Sequence, residues 1–192
     1  MRTLLLSALC FVATLSMAST EPVHGGKVDV EASTVNWVGK KVTGQHTGTI
    51  KIQSGELMMK DGMLKGGSFV IDMTTITCTD LPEKPGNKLV GHLSSDDFFG
   101  IENHKTATLT ITEASKRGDS NNYEVMADLT IKGITKPIEF IAQVSDHEAK
   151  ADISIDRTQY DIKYGSGSFF DGLGDKMIYD NFELSIDLVL TH

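Results

Sequence analysis

The sequence is poor in cysteine, and this scarcity excludes a disulfide-stabilised fold. Only Cys10 and Cys78 occur in 192 residues, and Cys10 lies in an N-terminal segment that we expect to be removed. A single remaining cysteine cannot form an intramolecular disulfide, so an apolar core must stabilise the folded domain. We interpret Cys78 as a small thiol in or near that core. A bond to a second chain or a bound metal is the alternative.

Basic residues are outnumbered. The chain has 18 Lys and Arg residues against 26 Asp and Glu residues, which gives a formal net charge of −8. Nucleic acids and anionic membrane surfaces bind proteins through a basic face, which this composition does not favour. We therefore expect no nucleic-acid partner.

No apolar run is long enough for a good membrane span. The longest extends from Leu4 to Met17, whereas a spanning helix needs about 20 residues. Arg2 before this run and the small residues Ser16-Met17-Ala18 at its end are typical of a secretory signal peptide, with a retained anchor as the alternative. We predict a signal peptide over residues 1–18, a flexible lead-in over 19–26 and a single domain over 27–192. The protein is expected to be exported, without stable membrane insertion.

Catalytic and metal-binding motifs are also missing. The sequence has no Gly-x-Ser-x-Gly nucleophile elbow, no His-Glu-x-x-His motif and no paired cysteines. The run Gly165-Ser166-Gly167-Ser168 lacks the lysine of a phosphate-binding loop, and residues 171–175 lack the spaced ligands of a calcium-binding hand. We predict no catalytic residues, no metal site and no cofactor, hence a protein that is not an enzyme.

Strand-like alternation is what the sequence has in abundance. Between Tyr123 and Val144, apolar residues occupy every second position on both sides of a break at Gly133–Pro137, which predicts a hairpin with one apolar face. Other segments with strand signals are residues 28–30, 34–41, 47–53, 56–60, 63–73, 106–112, 149–156 and 182–190. Turn residues such as Ser54-Gly55 and Asp61-Gly62 separate several of them.

One long connection interrupts these strands. Between residues 80 and 104, prolines and a glycine break any strand, and the spacing of apolar residues such as Leu93 and Phe98 predicts one or two short helical turns. Ser94 to Asp97 offer side-chain oxygens for the start of a helix. We expect this connection to cross one end of the sheet and to plug that end with Phe98 or Phe99.

The pattern of half-polar strands favours a closed sheet. Antiparallel sheets with one solvated face show this alternation, and closure removes their exposed edges. A barrel of about eight strands has an interior that side chains fill or that holds one small ligand. We therefore predict an all-β fold, an antiparallel closed barrel of about eight strands. A two-sheet sandwich is the alternative.

Five stretches carry a resemblance to a known family. They are Val35–Lys41, Gly66–Met73, Gly91–Phe99, Asp128–Pro137 and Ile155–Thr158, and they follow the family's order over about residues 27–191. The sequence resembles the YceI family of exported lipid-binding proteins. The resemblance implies a lipocalin-like barrel in the periplasm that encloses an isoprenoid lipid, such as a polyprenyl quinone or a similar amphiphile. Cys78 and Asn103-His104-Lys105 depart from the family's pattern.

The apolar inner face is the predicted ligand site. The expected ligand contacts are Trp37, Phe69, Ile71, Leu109, Ile111, Val125, Leu129, Phe140, Ala142, Ile153, Leu184, Ile186 and Leu188. His92, Phe98, Arg157 and Tyr160 are candidates for the rim or the ligand's head group. For Arg157 we favour a structural ion pair with Asp156, and for Trp37 and His92 core packing is an equal alternative.

The resemblance, together with the apolar inner face, implies non-enzymatic binding, transport or storage of an isoprenoid lipid in the periplasm. Burial of one methylene group contributes about 0.8 kcal/mol, so a long apolar ligand needs no ionic or catalytic residue to be bound. Two alternatives stay open, a solid-core structural or stress-related barrel and a hydrolase or isomerase acting at the barrel mouth. The sequence also leaves a homodimer open.

Overall fold

Nine strands and one α-helix make up the part of the chain described by this computed structural model, residues 24–191. The strands are β1 His24–Val28, β2 Thr34–Lys41, β3 Gly44–Lys60, β4 Met63–Asp72, β5 Thr106–Lys116, β6 Asn122–Ile131, β7 Ile134–Val144, β8 Glu148–Asp156 and β9 Ile178–Thr191, and the helix α1 is Glu83–Ser94. The predicted signal peptide lies outside the described residues. The lead-in predicted over 19–26 extends too far, because β1 already begins at His24.

The strands close into an antiparallel barrel. Neighbouring strands follow the order β3, β2, β9, β8, β7, β6, β5 and β4, and β4 pairs again with β3. β1 pairs with the second half of β3 and with the end of β9. It therefore lies between the same two strands as β2, but at the opposite end of the barrel. The predicted closed barrel of about eight strands is confirmed, and the sandwich is wrong.

Residues 47–53 and 56–60, predicted as two strands, belong to the single strand β3. Ser54-Gly55 does not turn the chain. The register against β4 shifts there, between Ile52 and Ser54, as in a β-bulge, which bends a strand without ending it. Gly55 is required for packing, since a Cβ atom at this position would lie 2.6 Å from Cδ1 of Phe69.

The hairpin of β6 and β7 has a shorter turn than predicted. Lys132 and Gly133, with φ of 52° and 74°, form a two-residue turn of the kind that matches strand twist. Pro137 lies inside β7, opposite Asp128. A proline is tolerated at this position because β7 pairs with β8 only over residues 142–144, which leaves the first half of β7 at an edge. The 3-10 turn Arg157–Tyr160 packs beside β7.

The connections differ between the two ends of the barrel. At one end, β4 and β8 lead into the long connections 73–105 and 157–177, and we call this the open end. At the other, the closed end, short turns at 61–62, 117–121 and 145–147 join the strands. The resulting asymmetry places most irregular backbone around a single opening.

α1 is one helix of 12 residues, longer than the predicted turns. Pro85 fits in its first turn, because the backbone N–H groups there have no intrahelical acceptor. Ser94-Ser95 ends the helix and does not begin one. The Ser94 hydroxyl donates to the carbonyl of Val90 at 2.8 Å and that of Ser95 to the carbonyl of His92 at 2.7 Å. Within residues 24–191, no helix has the length and apolarity to cross a membrane.

The inner faces of the strands are packed unevenly. Near the closed end, five inner residues are at most 2% exposed, namely Leu57, Leu64, Tyr123, Val125 and Ala127. Towards the open end some inner positions, such as Ile153 and Ile155, are buried. Others are only half-buried, in a set that includes Phe69, Ile71, Ile138, Phe140, Phe182, Leu184 and Ile186. An apolar side chain that points into a barrel and stays half-exposed faces unfilled space.

Candidate functional site

That unfilled space is a cavity of about 360 Å³ inside the barrel. Its wall is almost entirely apolar. Ligand pockets in proteins begin at roughly 300 Å³, so the cavity reaches the size of a binding site. A solid-core barrel therefore does not describe this protein.

Twelve of the thirteen predicted ligand contacts line the cavity. They are Trp37, Phe69, Ile71, Leu109, Ile111, Leu129, Phe140, Ala142, Ile153, Leu184, Ile186 and Leu188. Val125 does not, because it is completely buried in the core of the closed end. Among the rim candidates, His92, Phe98 and Arg157 line the cavity. Tyr160 is 1% exposed and packs outside it, which corrects its assignment to the rim.

Several wall residues were not predicted as contacts, although a signal for most of them exists. Phe182 and Ile138 share the alternating faces of Leu184 and Phe140. Leu89 and Leu93 reach the cavity from α1, whose length the sequence did not show. Phe98 and Phe99 both lie in the wall, 7% and 9% exposed, where one plug was expected. His46 has no sequence signal at all.

Trp37 is fixed in the wall near the open end. Its indole Nε1 donates to the carbonyl of Thr77 at 3.0 Å, and the residue is 8% exposed. The neighbouring strand carries Gly48, where a Cβ atom would lie 2.6 Å from the indole ring and 1.8 Å from the Thr77 carbonyl. The contact between β3 and the connection after β4 therefore requires glycine and orients the tryptophan.

Arg157 ties the open end together from inside. Its Nε donates to the Tyr179 carbonyl at 3.1 Å, its Nη1 to the Ile162 carbonyl at 2.7 Å and its Nη2 to the Ile178 carbonyl at 3.1 Å. The guanidinium also lies 5.5 Å from the centre of the Phe98 ring. The residue is only 2% exposed, and each of its three side-chain nitrogens donates to a backbone carbonyl.

The ion pair of Arg157 differs from the predicted one. Its Nη2 lies 3.6 Å from Oδ1 of Asp180, whereas Asp156 accepts from the backbone N–H of Thr158 at 2.9 Å. Burial lowers the pKa of Arg157 against the opposing effect of both carboxylates. Burial raises the pKa of Asp180, but hydrogen bonds from serine hydroxyls and the charge of Arg157 outweigh it, so that pKa lies below its ordinary value.

A second polar cluster lies at the open end, or mouth, of the barrel. There Asp80, in the connection 73–105, is hydrogen-bonded to the β2–β3 hairpin. Its carboxylate accepts from the backbone N–H of Thr47 at 3.0 Å, from Nδ1 of His46 at 2.9 Å and from Sγ of Cys78 at 3.3 Å. The hydrogen bond from Thr47, followed by those from His46 and Cys78, outweighs burial and lowers the pKa of Asp80 to about 2. Burial and the bond to Asp80 raise the pKa of Cys78, so its thiol stays protonated.

His92 is the polar residue of α1 in the cavity wall. Its ring packs edge-on against Tyr164, with centroids 4.4 Å apart, and against Phe98 at 5.6 Å. Its Nε2 is buried and has no hydrogen-bond partner among the described residues. The head-group role of His92 stays a prediction. In the part of the chain that the structure describes, no three His, Cys, Asp or Glu side chains are arranged to hold a metal ion.

Comparison with known proteins identifies relatives of this barrel. A family model for YceI-like domains matches residues 27–190. Among curated proteins, UPF0312 proteins of Pectobacterium atrosepticum and Photorhabdus laumondii are 40% and 42% identical, each over 53 residues. Each alignment covers 28% of this chain and 27% of the relative. The match therefore spans about a quarter of the length of these curated relatives.

Three solved structures share the fold. BcnA of Burkholderia cenocepacia superposes with a TM-score of 0.70 at 20% identity, over 85% of this chain and 99% of that one. A polyisoprenoid binding domain from Saccharophagus degradans gives 0.59 at 16% identity, over 88% and 98%. The Campylobacter jejuni YCEI protein gives 0.54 at 14% identity, over 100% and 99%. At these identities the likeness shows the fold alone.

Proposed function

This chain belongs to the family of YceI-like domains, and from that premise we propose that it binds an isoprenoid lipid inside the barrel. The ligand is a polyprenyl quinone or a similar amphiphile, and the protein carries or stores it without altering it chemically. The observation that supports this most directly is the apolar cavity of about 360 Å³ on the inner face of the strands.

The shape of the cavity fits a linear chain. Wall residues on β9 extend from Ile178 to Leu188, a stretch of about 33 Å along the strand. With a strand tilt of about 40°, this corresponds to a depth of about 25 Å along the barrel axis. The cavity volume spread over such a depth makes a narrow channel, which suits a single prenyl chain better than a compact ring system.

The energetics of burial favour the same class of ligand. A five-carbon prenyl unit contributes about 3–4 kcal/mol when it leaves water. A few such units offset the several kcal/mol lost in association. The wall offers almost no polar atoms. An uncharged chain therefore leaves no polar group without a partner inside the barrel, whereas a charged chain would bury a charge without a partner.

Two further observations support a binding protein in place of an enzyme. At the open end, all three side-chain nitrogens of Arg157 donate to backbone carbonyls, and the carboxylate of Asp80 accepts hydrogen bonds from Thr47, His46 and Cys78. These groups stabilise the fold of the open end. The Saccharophagus degradans structure of the same fold is described by its name as polyisoprenoid binding.

Mass spectrometry under native conditions tests the proposal. After gentle purification, the folded protein is expected to carry extra mass that organic solvent extracts as an isoprenoid lipid, and the emptied protein is expected to bind added polyprenyl quinone in equimolar amount. Protein mass alone in every preparation, together with no uptake of added quinone, would show that the cavity is not an isoprenoid site.

A substitution inside the cavity locates the site. Ala151 is half-buried in the wall, opposite Ile186, whereas Ala142 is only 7% exposed and pairs with Tyr123. Ala151→Trp therefore fills the channel with less overpacking than Ala142→Trp, and we expect quinone binding to weaken by about 100-fold or more. Overpacking costs about 1–3 kcal/mol of stability.

The matched control is Asp152→Trp, on the outer face of the same strand, which should bind like the parent. If Ala151→Trp folds and also binds like the parent, the ligand does not occupy this cavity.

We propose the periplasm as the site of function, on the basis of the N-terminal leader pattern of residues 1–18. In a Gram-negative host, the protein released by osmotic shock is expected to begin at Ser19. Recovery of the unprocessed chain in the spheroplast fraction alone would contradict this location.

A further inference from the structure

Five large apolar side chains are exposed around the mouth of the cavity. We call these residues, each 44–51% exposed, the mouth patch; they are Val42, Tyr164, Phe169, Phe170 and Tyr179. Val42 joins the others because its backbone N–H donates to the carbonyl of Met177 at 3.1 Å. Within residues 24–191, the exposed phenylalanines and tyrosines of this kind all belong to the patch, whereas the exposed apolar residues elsewhere are Met58, Met63, Met126, Ile141 and Val189. Aromatic exposure is thus concentrated at one end of the barrel.

An anchored loop presents the two phenylalanines. Ser166 at its base is completely buried, and its carbonyl accepts the backbone N–H groups of Phe169 and Phe170 at 3.2 and 3.0 Å. Ile178 donates to the carbonyl of Gly165 at 2.8 Å, which ties the loop to the start of β9. Exposed adjacent phenylalanines on a fixed turn are unfavourable in water, and contiguous exposed apolar surface marks an interaction site.

The mouth patch is continuous with the cavity. Tyr179 is 47% exposed and also lines the cavity wall. The ring of Tyr164 packs at 4.4 Å against His92, which lies in that wall. The exposed patch therefore borders the cavity.

The chemistry of the patch matches a membrane–water interface. Tyrosine and lysine settle at the level of lipid head groups, and phenylalanine inserts at the boundary between head groups and acyl chains. Nζ of Lys163 lies 5.1 Å from the centre of the Phe169 ring, and Lys176 follows in the same loop. Asp161 pairs with Lys163 at 2.7 Å, and Asp171 and Asp175 add negative charge. The charges of the patch therefore largely cancel, and its exposed aromatic side chains are the feature that suits a bilayer.

We propose that the mouth patch docks the open end of the barrel on the surface of a lipid bilayer, so that an isoprenoid tail moves between bilayer and cavity without crossing water. This inference rests on the proposed function, since a ligand dissolved in the bilayer is what makes such docking useful. A second copy of the chain is a poorer occupant, because each copy carries a net charge of −8 and the two repel.

Vesicles test this docking. The full mature chain is mixed with large unilamellar vesicles of the zwitterionic lipids phosphatidylethanolamine and phosphatidylcholine, which do not repel an acidic protein, and bound protein is measured by flotation. The double variant Phe169→Ser/Phe170→Ser should associate at least about tenfold more weakly. Its uptake of polyprenyl quinone from the vesicles should slow by a similar factor, whereas its binding of a short-chain prenyl quinone without vesicles should be unchanged.

The matched control is Met126→Ser/Ile141→Ser, which removes two exposed apolar side chains from the outer wall of β6 and β7. It should float and take up quinone like the parent. Circular dichroism and thermal unfolding verify that both double variants fold.

Three outcomes overturn the docking proposal. One is a parent protein that binds short-chain prenyl quinone but does not float with vesicles, which leaves the proposed function standing. Another is a phenylalanine variant that floats as well as the parent. The third is a variant whose only change is a lower sedimentation coefficient, which makes the patch an interface between copies. A parent that floats but never binds prenyl quinone refutes the proposed function instead.

Discussion

The closed and open ends of the barrel are built from the same strands in different ways. On the inner face of β9, Leu188 and Leu190 are 7% and 5% exposed, whereas Leu184 and Ile186 are half-buried against the cavity. All four occupy alternate positions of one strand. The side chains opposite them decide the difference, because Val125, Tyr123 and their neighbours fill the closed end. Alternation therefore decides which face is inside, and long-range packing decides whether the inside is full.

The two ends are also stabilised by different interactions. The closed end depends on apolar burial. The open end has a hollow centre and long connections, and polar groups such as Arg157 and Asp80 tie its segments together through backbone carbonyls and N–H groups. A binding site needs such an arrangement, since packing the open end with apolar side chains would remove the cavity.

The largest expected effect on stability comes from replacing Arg157, whose hydrogen bonds connect the segments of the open end. Arg157→Met leaves three carbonyls without their donor and the partly buried Asp180 without its ion-pair partner, which should cost about 3–5 kcal/mol of unfolding free energy. Urea denaturation measures the loss. Native-state hydrogen exchange should show the greatest loss of protection around residues 162–179, with less change in β6. A loss below about 1 kcal/mol would mean that apolar contacts stabilise the open end too.

A matched pair of leucines on β9 sharpens the comparison. Leu190→Ala at the closed end should cost about 2–5 kcal/mol, because it leaves a cavity in packed core. Leu184→Ala should cost only about 1 kcal/mol, because its side chain already borders empty space, and it should change quinone affinity more than Leu190→Ala does. Urea midpoints and quinone titrations measure both. Equal stability losses would show that the open end is as tightly packed as the closed end.

Much of the fold could be predicted from the sequence because it depends on local periodicity. The inner faces of β7 and β9 follow directly from the alternation around Phe140 and Leu184. Val125 shows the limit of this reasoning, since it has the same alternation as Phe140 but lies in filled core. No local pattern reports how many side chains meet from other strands.

The errors at turns and connections also have physical causes. Ser54-Gly55 has the composition of a turn but makes room for the Phe69 ring, and Pro137 sits inside β7 because the strand next to it pairs for only three residues. The partner of Arg157 is Asp180, distant in sequence, whereas its neighbour Asp156 caps the following turn. Each of these outcomes depends on a tertiary neighbour that sequence spacing does not show.

The smallest expected effect is the pH dependence of the stability that Asp80 contributes at the open end. The pKa of Asp80 is lowered from 3.8 to about 2 in the folded protein, so its carboxylate stabilises the fold above about pH 4. This contribution disappears as the pH falls towards 2, since a proton then binds the folded state as well.

Asp80→Asn should therefore lower stability by about 1 kcal/mol at pH 7, a value reduced by solvent exposure of the side chain, and by almost nothing near pH 2. Urea unfolding over this pH range measures the difference, and Asp171→Asn controls for the lost charge at the same end. A deficit for Asp80→Asn that stays constant down to pH 2 would mean that the tie acts through its shape and not through its charge.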